Sequence, residues 1–144
     1  MLFLALATGC AGTFFGAAIY INLVEHPARV SCGTEFAVRQ FGPSYRRAAV
    51  MQGGLAVLGC LIGFWSAWTS SDGPVAAGAI LLGLVVPVTL LFIFPTNKRL
   101  LDPSLDRTSS HAAALLARWN RLHAIRSVLS GVAFALFLMR MASW

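Results

Sequence analysis

Charge is what this chain has least of. Only 11% of its 144 residues are charged, where an average soluble domain carries about a quarter. A soluble fold could not clothe its surface with so little, and 58% of the residues are hydrophobic. Lipid is therefore the expected solvent. Four apolar segments, at about residues 2–24, 48–69, 75–94 and 120–141, reach the roughly 20 residues that a spanning helix needs. The first three contain no charge. The fourth carries Arg126 and Arg140 toward its ends, where long cationic side chains snorkel to the interface. The expectation is an all-α polytopic membrane protein: one domain, residues 1–144, built as an antiparallel bundle of four transmembrane helices.

Other scarcities narrow the function. The three cysteines, Cys10, Cys32 and Cys60, stand alone with no CxxC pair, which argues against a zinc cluster or a thiol redox motif. The first apolar run has no basic residues ahead of it and is longer than a signal-peptide core, so the first span is expected to be retained. No internal repeat is evident.

The net charge of +6 comes from eleven basic and five acidic residues. Its distribution points to topology and away from nucleic acid. Arg29, Arg39, Arg46 and Arg47 lie between or at the ends of spans one and two. Lys98, Arg99, Arg107, Arg118, Arg121 and Arg126 lie between spans three and four or just inside the fourth. Only Arg140 is on the other side. Basic residues mark the cytoplasmic side, so both termini are expected on the non-cytoplasmic side of an inner or plasma membrane.

Gly12 with Gly16, and Gly59 with Gly63, form two GxxxG pairs that let helix backbones approach closely in lipid. These faces suit a homodimer or packing inside the bundle. Pro27 is expected to end or kink the first helix, and Pro95 to close the third. The stretch from Val30 to Ser44, with Gly33, Gly42 and Pro43, reads as a loop with at most one interfacial turn. One long helix is expected from Ser110 to Met141, with a separate interfacial helix ending near Trp119 as the alternative.

Every polar cluster falls at one end of the expected bundle. On span one, Asn22, Glu25, His26 and Arg29 recur at helical spacing. Tyr45 and Gln52 align on span two, Thr89, Ile93, Thr96 and Asn97 on span three, and Trp119, His123 and Arg126 on span four. Converging stripes of this kind make a pocket, expected to open or nearly open toward the cytoplasm. Ionisable groups near hydrocarbon mark functional sites. Arg46, Arg47, Arg99, Arg118 and Arg121 read instead as interfacial anchors.

Three chemistries fit two imidazoles and a carboxylate. In the first, His26 or His123 is a general base, with Glu25 orienting its partner. In the second, His26, His123 and Glu25 hold a transition metal such as copper, iron or zinc; adjacent residues on a helix point about 100° apart, which makes Glu25 and His26 awkward co-ligands. In the third, His26 and His123 flank a haem, which nothing else in the sequence favours.

The segments YINLVEHPAR, PSYRRAAVMQ, PTNKRL and RWNRLHAIR resemble, in this order and spacing, the anthrone oxygenase-like family of small four-span membrane proteins. The resemblance runs from about Gly12 to Arg126. Its motif positions here are Asn22, Glu25, His26, Pro27, Arg29, Tyr45, Arg46, Gln52, Asn97, Trp119, His123 and Arg126. Asn120 stands where a small residue such as glycine is expected. The resemblance implies oxidation by O₂ of a small hydrophobic aromatic or polyketide-like substrate, an anthrone or hydroquinone. His26, His123, Glu25, Asn97 and Arg126 would be the catalytic groups, and Asn22, Tyr45, Gln52 and Trp119 would bind substrate. No cofactor is then required. Phe14, Phe15, Phe92 and Phe94 are expected to supply apolar wall. The rival reading is a non-catalytic membrane protein that binds a small ligand, a lipid or quinone, or a metal ion in the same pocket.

Overall fold

The computed structural model describes residues 1–143; Trp144, the last residue of the expected domain, lies outside the described residues. Four long helices dominate: α1 (Leu2–Ser31), α2 (Thr34–Ser70), α3 (Gly73–Leu100) and α4 (Ser110–Ala142). Each is long and apolar enough to cross a membrane. Among the described residues there is no strand.

Short connections make neighbours antiparallel. Cys32 and Gly33 alone join α1 to α2, and Gly33 has φ +99°, a conformation a Cβ would strain. Between α2 and α3, the Asp72 side chain caps α3 by accepting a hydrogen bond from the Val75 N–H at 3.1 Å. Ser109 caps α4 in the same way through the Ala112 N–H. Residues 101–109 form the one longer connection, at the same end as the α1–α2 turn. Both α1 and α3 pack against α2 and α4, while contacts across the diagonals are sparse. This is a square, up-and-down bundle.

Small residues set how closely the helices approach. A Cβ added at Gly59 would sit 2.6 Å from Leu82 on α3 and 2.9 Å from Cys10 on α1. One at Gly63 would meet Ala79 and Phe137 at 3.1 Å. The α2 GxxxG face is thus used inside the bundle. Gly12 lies against Phe134, whereas Gly16 faces open space. Two apolar clusters result. One, around Phe14, Leu82 and Phe137, fills the half nearer the termini. The other, around Phe41, Ile93, Leu116 and Trp119, fills the end nearer the 101–109 connection.

Three local expectations are corrected. Pro27 does not end α1, which runs on to Ser31. A π-helical turn at Ile21–Glu25, in which the His26 N–H reaches back five residues to the Ile21 carbonyl, precedes the proline. Such turns absorb a helix irregularity. Pro95 likewise does not close α3: a second π-helical turn, Thr89–Ile93, precedes it and the helix continues to Leu100. The segment from Val30 to Ser44 is helix except at Cys32 and Gly33. Its apolar spacing decides this, because Ala37, Val38 and Phe41 are buried along one side of α2 while Glu35, Arg39 and Pro43 are exposed. Residues 110–142 form the single long helix, not two.

Candidate functional site

Between the two apolar clusters lies a cavity of about 250 Å³. All four helices contribute to it. Arg29 comes from α1, Tyr45 and Gln52 from α2, Asn97 from α3, and Trp119, His123 and Arg126 from α4. Phe14, Phe41, Val85, Ile93 and Phe94 supply apolar wall. Of the expected wall residues, Phe15 stacks on Phe134 elsewhere and Phe92 is exposed. The second apolar cluster roofs the cavity toward the 101–109 end. Phe41, Leu100, Leu115 and Leu116 are buried at that end.

His123 is the most constrained group. It is buried and lines the cavity. Its Nδ1 lies 3.0 Å from Asn22 Oδ1, which also accepts from Ser127 Oγ at 2.6 Å. The Asn22 amide donates from Nδ2 to the Asn120 backbone carbonyl at 3.0 Å and to Asn120 Oδ1 at 2.7 Å. A backbone carbonyl only accepts, so it fixes which way the Asn22 amide points. Asn22 Oδ1 then demands a donor, and Nδ1 of neutral His123 carries the proton. Nε2 is left as the basic lone pair. Asn120, where a glycine-sized residue was expected, is thus part of the clamp that sets this tautomer.

The same logic orients Gln52. Arg126 donates from Nη2 to Gln52 Oε1 at 2.8 Å. Arginine has no acceptor, so Gln52 must present its oxygen there and keep its NH₂ as a spare donor. Arg126 also lies over the Phe14 ring, 5.2 Å from its centre. Around the cavity five buried donors have no hydrogen-bond partner: Arg29 Nε, Gln52 Nε2, Asn97 Nδ2, Trp119 Nε1 and Arg126 Nε. The Asn97 carbonyl oxygen is also without one. Each such group costs about 1–3 kcal/mol when left unpaired. Five of them around one cavity leave N–H groups that a bound molecule can meet.

Trp119 is the hub of the ring contacts. Its ring centre is 4.7 Å from His123, 5.5 Å from His26 and 5.3 Å, edge-on, from Phe41. Arg29 lies 5.9 Å from it. His26 is buried against Trp119 and does not line the cavity. Neither do Asn22 and Glu25. Glu25 turns toward α2, where its Oε1 accepts from Arg29 at 2.5 Å, Ser44 at 2.7 Å and Gln40 at 3.2 Å. Those three donors all meet one of its two carboxylate oxygens. Among the described residues no three His, Cys, Asp or Glu side chains group as a metal site. Arg46 is exposed.

Sequence reasoning missed Ser127, Ser44 and Gln40. Ser127 was findable, since it stands four residues after His123 on one helix. Ser44 and Gln40 are also four apart, but that spacing has meaning only once their segment is known to be helical.

Comparison with curated proteins and with solved structures finds no match. A family model described as Anthrone oxygenase matches residues 41–136, two thirds of the chain. It spans the PSYRRAAVMQ, PTNKRL and RWNRLHAIR motifs and therefore most of the cavity wall, including Tyr45, Gln52, Asn97, Trp119, His123 and Arg126. The chain belongs to the anthrone oxygenase family.

Proposed function

We propose that this protein is a membrane-embedded oxygenase-type enzyme that oxidises a flat, hydrophobic, anthrone- or hydroquinone-type substrate with O₂, without a metal or haem. The observation that carries the reading is the pairing of one oriented base, His123, with five unpartnered donors around an apolar cavity.

His123 Nε2 removes a proton from the weakly acidic CH₂ of an anthrone. Negative charge moves onto the carbonyl oxygen, where Asn97, Trp119, Arg126 and Gln52 supply N–H donors. Donors fixed in a site closed to water stabilise developing charge at little reorganisation cost. The electron-rich anion reduces O₂, and a C–O bond forms at the deprotonated carbon. The imidazolium returns its proton to the resulting peroxide. Loss of the remaining C–H proton and cleavage of the O–O bond release water and leave a second carbonyl. One substrate and one O₂ give one quinone and one water. His26 and Arg29 hold Trp119, and Asn22 holds His123, as positioning residues.

The basic end is assigned to the cytoplasm of an inner or plasma membrane, on the strength of ten basic residues against one. Oxygen uptake coupled to anthraquinone formation by reconstituted protein tests the enzyme reading. His123→Ala should sharply lower turnover while helical content persists. Saturable ligand retention with no oxygen uptake would show a binder instead. Stoichiometric copper, iron or zinc in protein purified without a histidine tag, lost in His123→Ala, would overturn the cofactor-free mechanism, as would a Soret band.

A further inference from the structure

An apolar cluster lies on either side of the cavity along the bundle axis, and its wall is not continuous around the sides. Helices α2 and α3 touch where Cys60 Sγ lies 2.7 Å from the Cβ position of Gly83. They meet again where Leu101, just past the end of α3, lies 3.3 Å from the Cβ position of Gly42. Between these points they part, and α2 makes few contacts with the Thr89–Ile93 turn. Pro43 on α2, and Pro87 and Pro95 on α3, sit around this stretch, where proline bends a helix. The cavity residues that border the parting are Ala49 and Gly53 on α2 and Val86, Leu90 and Phe94 on α3. Ala49 is exposed, Leu90 is 58% exposed and Phe94 37%. The bordering side chains are apolar and lie within helices long and apolar enough to span a membrane, with the Lys98 ammonium 5.0 Å over the Phe94 ring at one end. A Cβ built on Gly53 meets no atom within 4 Å.

We propose that substrate enters from the bilayer, sideways, through this gap between α2 and α3, and that Gly53 keeps the aperture wide enough for a flat ring system. The inference rests on the reading of the cavity as a site for a hydrophobic aromatic. It adds the substrate's source: a molecule dissolved in the membrane, not one delivered from water. Toward the aqueous end lies the buried cluster that includes Phe41, Leu100, Leu115 and Leu116.

The test uses the full chain in phosphatidylcholine vesicles, with Trp65, Trp68 and Trp144 replaced by Phe so that Trp119 is the one fluorophore. Anthraquinone preloaded in the vesicles should quench Trp119. Gly53→Phe should slow quenching on the order of tenfold by overfilling the aperture. Gly54→Phe, on the adjacent exposed position that does not line the cavity, should leave the rate unchanged. To separate closure from misfolding of Gly53→Phe, a second closure is used: Ala49→Cys with Leu90→Cys, in a chain whose native cysteines are alanine, bridged by a reducible bis-thiosulfonate. Bridging should slow quenching and reduction restore it. Quenching in the parent that neither closure slows overturns the lateral route and leaves the enzyme reading standing. No quenching and no oxygen uptake in the parent overturns both.

Discussion

Asn22 and His123 are 101 residues apart and meet at 3.0 Å, amide oxygen to imidazole Nδ1, across the α1–α4 interface. That contact sets the tautomer of the base. His123→Ala should lower kcat by about 10²–10⁴, the usual span for a general base. Asn22→Ala should lower kcat substantially with KM near its original value, because it frees the ring to turn without altering the substrate's wall. Steady-state oxygen uptake measures both. An unchanged kcat in Asn22→Ala would detach the clamp from the chemistry.

Asn97 is buried with both ends of its amide unpartnered. Asn97→Leu, of similar size and without polar atoms, should hold stability or raise it by up to about 1–3 kcal/mol. The same substitution should reduce turnover. Denaturation in detergent and oxygen uptake on one preparation give the two readouts. A clear loss of stability would mean that Asn97 has a structural partner.

At the far end of the bundle Asp72 caps α3 and pairs with Arg140 of α4. Asp72→Ala should cost about 1–2 kcal/mol through the cap alone. Burial pushes the Asp72 carboxyl up, but hydrogen bonds from Arg140 and the Val75 N–H, with the Arg140 charge, outweigh it and hold it below its ordinary value. A lowered carboxyl contributes stability that is present above the unfolded value and lost as pH falls through the folded one. The destabilisation seen in Asp72→Ala should therefore be constant near neutrality and shrink only in acid, below the ordinary aspartate range. Melting curves of the parent and Asp72→Ala across pH measure it.

A reporter fused after the C-terminus should be active only if it functions outside the cytoplasm. One inserted in the exposed connection near Asp106 should show the opposite. Activity of a cytoplasm-only reporter at the C-terminus would reverse the orientation.

The four spans were legible because an uncharged run of that length has one stable solution in lipid. The long α4 was legible because nothing between Ser110 and Met141 breaks a helix. The polar stripes of α4 were legible for the same reason: His123 and Arg126 both line the cavity. The partners of Glu25, which does not line the cavity, were not legible. Its partners Gln40 and Ser44 sit in a stretch whose Gly33, Gly42 and Pro43 argue locally for a loop. Tertiary burial of Ala37, Val38 and Phe41 overrides those signals. The lateral gap could not be read from the chain, since it depends on where two helices part.

The π-helical turns have a consequence for helical phase. Ile21 and Arg29 both face the cavity, although eight residues of straight α-helix would set them about 80° apart. Val85 and Asn97 also share it, although twelve residues would set them about 120° apart. A π-helical turn acts as one inserted residue, and subtracting it brings each pair to within about 20°. Deleting a single residue from Ile21–Glu25 or Thr89–Ile93 would yield a more regular helix. The two sides of the turn would stay in phase, so Arg29 or Asn97 would still face the cavity; regularising the turn without a deletion would instead swing one side by about 100° and turn them out. The irregular turns work as phase adjusters that let two straight membrane spans present a polar end and an apolar middle to the same chamber.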